Sequence, residues 1–209
     1  MLNKSRLENL SDGLFAIVFT LLVIEIKVPE MHGAISNGEL WHALVELGPL
    51  FVGYAVSFVV LAMFWLSHNF FYGHFVKEIN RQLIMMNLLY LSFISLIPFS
   101  AHLIGRYPDT EIALFIYGLN MLAIGIANIL IISYAYRSNE LDTSHVSRRL
   151  FKQAIIRAYV TPIFTLFGMI AALGAPAFAL ILYAFPIVFN IIPGTLDTLE
   201  RLFGFQLGK

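Results

Sequence analysis

Two residues promise chemistry in a chain that offers little else to work with. Asp12 and His68 each stand at the edge of a long apolar stretch. A neutral histidine beside a carboxylate donates a hydrogen bond, and a protonated one makes an ion pair. Ionisable and polar groups at membrane depth are expensive, so each is a candidate for function. The list is short. Ser11 and Asp12 open the first apolar stretch, Thr20 sits in its middle, and Glu25 and Lys27 close it. His68 and Asn69 close the second. Asn87, Ser92 and His102 lie in the third, Asn120 and Asn128 in the fourth, and Asn190 in the sixth. Asp12 with His68 reads in two ways: a structural clasp tying the first helix to the second, or a gate or proton-sensing latch. Glu25 and Lys27 read as interfacial, snorkelling side chains, and the asparagines as interhelical hydrogen-bond glue.

Enzyme chemistry finds no purchase. There is no G-x-S-x-G, H-E-x-x-H, P-loop or dinucleotide fingerprint. With no cysteine, disulfides, thiolate metal sites and thiol nucleophiles are excluded. His68 and His74 are six apart, about 120° around a helix, a poor pair of metal ligands. No cofactor and no metal is expected, and the chain reads as a non-enzyme. A T-V-G-Y-G carbonyl filter is missing as well.

The elements that must hold these residues follow from composition. Of 209 residues, 59% are hydrophobic and 12% charged, against about 45–50% and about 25% in a soluble domain. The mean hydropathy is +0.80. So few charges cannot cover a water-facing surface of this size; much of the surface must face lipid. Zero net charge leaves no field to attract nucleic acid.

Six stretches reach the roughly 20 mostly apolar residues of a spanning helix: Leu10 to Val28, Leu40 to Trp65, Leu83 to Ile104, Ile112 to Tyr136, Ala154 to Leu173, and Ala177 to about Leu199. The expected fold is therefore an all-α integral membrane protein, one six-helix domain over residues 1–209. The first stretch lacks a small-residue cleavage site and reads as a retained helix, not a signal peptide. Pro29–Asn37, Gly105–Asp109, Ser138–Arg149 and Gly174–Pro176 are the main connections. Pro49, Pro98, Pro162, Pro186 and Pro193 are expected inside the spans, where neighbouring groups re-satisfy the freed backbone.

Orientation follows from the basic residues. Lys4, Arg6, Lys77, Arg81, Arg137, Arg148, Arg149, Lys152, Arg157, Arg201 and Lys209 fall on one side; only Lys27 and Arg106 fall on the other. Both termini are expected in the cytoplasm. Trp41, Tyr54, Trp65, Tyr107 and Tyr136 fall near span ends, as aromatic anchors do.

The first helix carries a resemblance. Arg6-Leu7-Glu8-Asn9-Leu10-Ser11-Asp12-Gly13-Leu14-Phe15-Ala16-Ile17 resembles the R-x-x-x-F-S-D-G-x-F-A-I motif of the lysosomal potassium channel family, transmembrane protein 175, and its bacterial relatives. Phe64-Trp65-Leu66-Ser67-His68-Asn69 is similar to the family's F-W-x-x-H signature. One departure is visible: Leu10 stands where the motif has Phe, an aliphatic group in place of an aromatic one. The resemblance implies a potassium-permeable, leak-like cation channel in a bacterial cell membrane, a homotetramer passing monovalent cations. The first helix of each subunit, about residues 10–28, would line a central pore with rings of aliphatic side chains. Carried residue by residue, the main constriction falls on Ile17, with further layers on Thr20 or Leu21 and on Ile24. Arg6, Ser11, Asp12, Trp65 and His68 would lock that helix to its neighbours. At 100° per residue, Gly13, Ile17, Thr20, Leu21, Ile24 and Val28 share one helical face. The rival reading is a proton-coupled secondary transporter with Asp12 and His68 as its relay, although no inverted repeat is visible.

Overall fold

A computed structural model describes residues 3–33, 35–138, 140, 141, 143 and 146–191. Among them are eight α-helices and no strand: α1 Lys4–Ile24, α2 Asn37–Glu46, α3 Gly48–Phe75, α4 Arg81–Ile94, α5 Ile97–Arg106, α6 Glu111–Arg137, α7 Arg148–Ala171 and α8 Pro176–Ile191. Among the described residues five spans are long and apolar enough to cross a membrane: α1, α3, α4 with α5 taken as one, α6 and α7. The shorter α8 is the sixth apolar helix. The expected all-helical membrane fold is borne out. The end of the sixth stretch, with Pro193, lies outside the described residues.

Short polar side chains cap four of the eight helices. Asn3, Asn80 and Ser147 accept from backbone amides two or three residues on, at 3.0, 2.9 and 3.2 Å. Each satisfies a donor that the first turn leaves without an intrahelical partner. Ser36 and Glu39 form a reciprocal capping box at α2.

Three expected boundaries are corrected, and proline explains two of them. The first helix runs Lys4–Ile24 and stops in a turn, so Val28 does not extend its face. Pro29 disfavours helical backbone at Val28 alone, so it bars a return to helix but does not set the stop at Ile24. The second stretch is two helices, because Pro49 stands in the first turn of α3. The third also divides, with Pro98 in the first turn of α5. A proline that would leave a carbonyl unpaired inside a helix leaves none at the start of one. Pro162 and Pro186 do lie inside α7 and α8.

The bundle has two ends. At one, Asn80 before α4 donates to the Tyr134 hydroxyl near the end of α6 (2.6 Å) and to Glu140 (2.7 Å). There Phe75, closing α3, meets Phe151, opening α7, edge to face at 4.8 Å between ring centroids. At the other, α3 and α5 approach so closely that a Cβ on Gly105 would stand 3.0 Å from the Leu50 Cα. Small residues let membrane helices close to this distance, where packing replaces the hydrophobic drive that lipid removes. Gly168 does the same for α7 and α8: the Tyr183 ring occupies the place of its missing side chain. The Tyr183 hydroxyl donates to the Leu114 carbonyl at 2.9 Å, joining α8 to α6.

Candidate functional site

The polar residues singled out in α1 and α3 find different partners from those their sequence positions suggested. Ser11, buried on α1, donates its hydroxyl to the Leu7 carbonyl at 2.9 Å. That uses its single proton, so the oxygen can only accept from Asn87 Nδ2, 3.0 Å away on α4. The Asn87 amide is thereby oriented, with its oxygen toward His68 Nε2 on α3 at 2.8 Å. An amide oxygen accepts, so the proton of His68 sits on Nε2. Three helices meet in one chain of hydrogen bonds, and all three side chains are buried.

Aromatic rings hold the imidazole. Tyr90 of α4 stacks on His68 at 5.7 Å with 15° between planes. Tyr72 lies 4.5 Å away and Phe15 of α1 5.8 Å away. Asp12 takes no part in this chain. Its Oδ1 accepts from Trp65 Nε1 at 2.9 Å, and the side chain is exposed. The expected Asp12–His68 pair is therefore corrected: each has another hydrogen-bond partner, and the two run side by side. One helical step turns the chain by 100°, so Ser11 points into the bundle and Asp12 to its edge. Trp65 ties α3 to α1 through its indole nitrogen instead of serving only as an interface anchor. Arg6 and Leu10 are exposed and stand outside both connections.

Asn87 is the residue that sequence reasoning undervalued. A depth count would have found it. Ser11 lies seven residues inside the start of α1, His68 seven inside the end of α3, and Asn87 six inside the start of α4. At 1.5 Å per residue all three fall about 10 Å in from the same end. Glu25 also has a partner: its Oε2 lies 3.5 Å from His102 Nδ1, linking the far end of α1 to α5. Elsewhere in the bundle the Ser57 and Tyr117 hydroxyls pair at 3.3 Å, and Asn120 donates to Ser100 at 3.2 Å.

The opposite face of α1 is bare. Ile17 is 60% exposed, Leu21 40% and Ile24 62%. Gly13 has nothing beside it, and the Thr20 hydroxyl donates back to the Ile17 carbonyl at 2.8 Å. The hydroxyl proton is thus committed to the helix, leaving only oxygen lone pairs turned outward. A strip of this kind presents branched hydrocarbon and one oxygen per chain. It can exclude water or pack; it cannot replace a hydration shell. Among the described residues no group of three or more His, Asp or Glu side chains is placed to hold a metal.

The sequence model of the family described as "Endosomal/lysosomal potassium channel TMEM175" matches residues 6–98, which hold Ser11, Asp12, Ile17, Trp65, His68 and Asn87. A protein named potassium channel from Streptomyces collinus is 35% identical over 131 residues, 61% of this chain and 62% of the relative, so the match spans less than two thirds of that relative. Another of that name, from a Chryseobacterium, is 28% identical over 195 residues, 92% of this chain and 94% of its own. The human relative, named endosomal/lysosomal proton channel TMEM175, is 33% identical over 119 residues, 23% of its length. In fold, the chain resembles the crystal structure of a lysosomal potassium-selective channel TMEM175 homologue from Chamaesiphon minutus. The TM-score is 0.77, with 23% identity over 90% of this chain and 95% of that one.

Proposed function

We propose, on the premise that residues 6–98 belong to the TMEM175 family, that this chain is a potassium-permeable cation channel assembled from four copies. One observation carries the reading. The inner face of α1 is anchored by a buried three-helix hydrogen-bond chain, while its other face, with Ile17, Leu21 and Ile24, is left bare. A helix held so firmly on one side and uncovered on the other is suited to facing its own copies around an axis.

In this reading Ile17 forms the narrowest ring, with Thr20 or Leu21 and Ile24 as further layers. A ring of four isoleucines offers no oxygen in exchange for bound water, so it acts by narrowing and dewetting. Ions that hold water tightly suffer more, so K⁺ passes more readily than Na⁺, with modest selectivity. The basic residues set both termini in the cytoplasm, and the protein belongs in the cell membrane. The names of two bacterial relatives support potassium as the permeant ion. The human relative's name favours a second reading, in which protons pass as well. Against the transporter alternative stands the pairing of Asp12 with Trp65 and of His68 with Asn87, in place of a hydrogen bond between the two.

The test is the reversal potential of the purified protein in a planar bilayer with KCl on one side and NaCl on the other. The channel reading expects ohmic, unsaturating current that reverses toward the K⁺ equilibrium potential. Saturable uptake that requires a pH gradient, without such current, would overturn it.

A further inference from the structure

Away from α1, a cavity of about 410 Å³ opens between α3, α6, α7 and α8. This lies within the roughly 300–1,000 Å³ range of small-molecule sites. Its walls are of two kinds. Phe64, Phe71 and Phe75 are buried behind it, while Leu66, Phe70 and Leu150, between 46% and 51% exposed, form its mouth on the outer surface of the bundle. Against this hydrocarbon stand Arg157, Asn128, Asn190 and Gln153.

Arg157 is the unexpected member. It lies nine residues inside the start of α7, about 13 Å along the helix, within a span long and apolar enough to cross a membrane. A cation at such depth is retained only with a partner or a route to the interface. Its described hydrogen bond is a long one, 3.4 Å from Nη1 to the Asn190 carbonyl. Among the described residues no carboxylate lines the cavity and no ion pair includes Arg157. Arg148, Arg149 and Lys152 are exposed at the same end of α7, where they raise the local concentration of anions.

We infer that this cavity binds an anionic phospholipid, its phosphate on Arg157 and one acyl chain leaving past Leu66 and Phe70. Charge complementarity chooses the head: the described lining supplies a guanidinium and amides and no acidic side chain. The apolar mouth chooses the tail, since a free hydrated anion gains nothing from Phe70 and Leu66. Basic pockets between spanning helices recognise lipid headgroups by this combination. Arginine's planar fork suits phosphate, and its long stem reaches from membrane depth toward the headgroup level. The site is separate from the proposed pore and stands whether or not Ile17 lines one.

The experiment is native mass spectrometry of the full-length protein in mild detergent, with equal phosphatidylglycerol and phosphatidylcholine added. The wild type should retain phosphatidylglycerol in about tenfold preference, the worth of one charge-assisted contact. Arg157→Gln should bring the preference to parity, and Arg106→Gln, at the opposite end, should leave it intact. Ala154→Phe fills the cavity while keeping the cation, and should abolish lipid retention; it carries the test alone where Arg157→Gln does not fold. Parity in the wild type, or a preference that survives either variant, overturns the proposal. Displacement of the lipid by millimolar inorganic phosphate would show a free-anion site instead. Cross-linking of Phe70 to a second copy would show that a neighbouring chain fills the mouth, and would overturn it too.

Discussion

On one face of α1, Leu7, Ser11, Phe15, Val18 and Leu22 are at most 5% exposed, packed among α3, α4 and α5. On the other, Leu10, Ile17, Leu21 and Ile24 are 40–62% exposed. Both faces are mostly aliphatic. What separates them is the buried Phe15 ring and a buried hydroxyl, Ser11, that is bonded to another helix, where the outer Thr20 hydroxyl turns back on its own. Ser11 is the only polar residue of the inner face, and through it that face is fixed in register and rotation to Asn87 and His68. Hydrocarbon alone slides and rotates at little cost between lipid and protein; a hydrogen-bond chain with one proton per link does not. The polar face of a helix in water marks the outside. In this helix, buried polarity marks the inside, and the plain aliphatic strip is left for lipid or for the pore.

The comparison is broken most severely from the inner face. Phe15→Ala removes a ring packed against His68 and Tyr90 and should destabilise the protein by about 3–5 kcal/mol. A large fall in thermal midpoint and in yield of assembled protein would register it. Asn87→Leu keeps the volume but strands His68 Nε2 and removes the donor to Ser11. It should cost about 1–3 kcal/mol for each group left unpaired. A double-mutant cycle with His68→Ala should show strong coupling between the two residues, and independent effects would refute the chain. Asp12→Ala removes an exposed hydrogen bond from Trp65. Its loss should be smaller, about 0.5–1.5 kcal/mol, visible as a lower share of assembled oligomer; normal assembly and current would make that link dispensable.

Ile17→Asn, on the outer face, should move stability by only about 0.5 kcal/mol. It should nonetheless raise conductance and Na⁺ permeability, because an amide ring keeps a pore wet. The contrast sharpens when stability and permeability are measured on the same preparations. Beyond both faces, the α2 cap sets the scale of an unrelated effect. The Ser36 backbone amide and hydroxyl hold the Glu39 carboxyl below its ordinary value. A depressed carboxylate contributes stability above its ordinary pKa and loses it as pH falls through the lowered one. Acidification below the ordinary carboxylate range should therefore fray α2, seen as faster amide exchange at Gly38–Leu40, and leave the inner face of α1 protected.

Much of this was legible in the residues. Six apolar stretches, the lopsided lysines and arginines, and the short roster of polar groups at depth were enough to place the helices and to name Ser11, Asp12, Trp65 and His68. Two things were not legible, for physical reasons. Pro49 and Pro98 sit within apolar runs that hydropathy reads as continuous, yet each opens a new helix; hydropathy measures transfer into lipid and is indifferent to where a backbone amide is missing. The partner exchange, Asp12 to Trp65 and His68 to Asn87, turns on one residue's 100° of rotation, which depth alone does not resolve. Asn87 looked like any membrane asparagine until its distance from the helix start was set beside those of Ser11 and His68.

The central claim is that the bare face of α1, with Ile17 at its middle, meets water along an ion path and not lipid. The chain has no cysteine, so a single introduced thiol reports without background. Ile17→Cys and Val23→Cys place that thiol at two exposed positions about 120° apart around the helix. A membrane-impermeant, positively charged thiol reagent should block current through Ile17→Cys and leave Val23→Cys unchanged. Current through Ile17→Cys that is indifferent to this reagent, while a lipid-soluble maleimide labels the same thiol, would contradict the account.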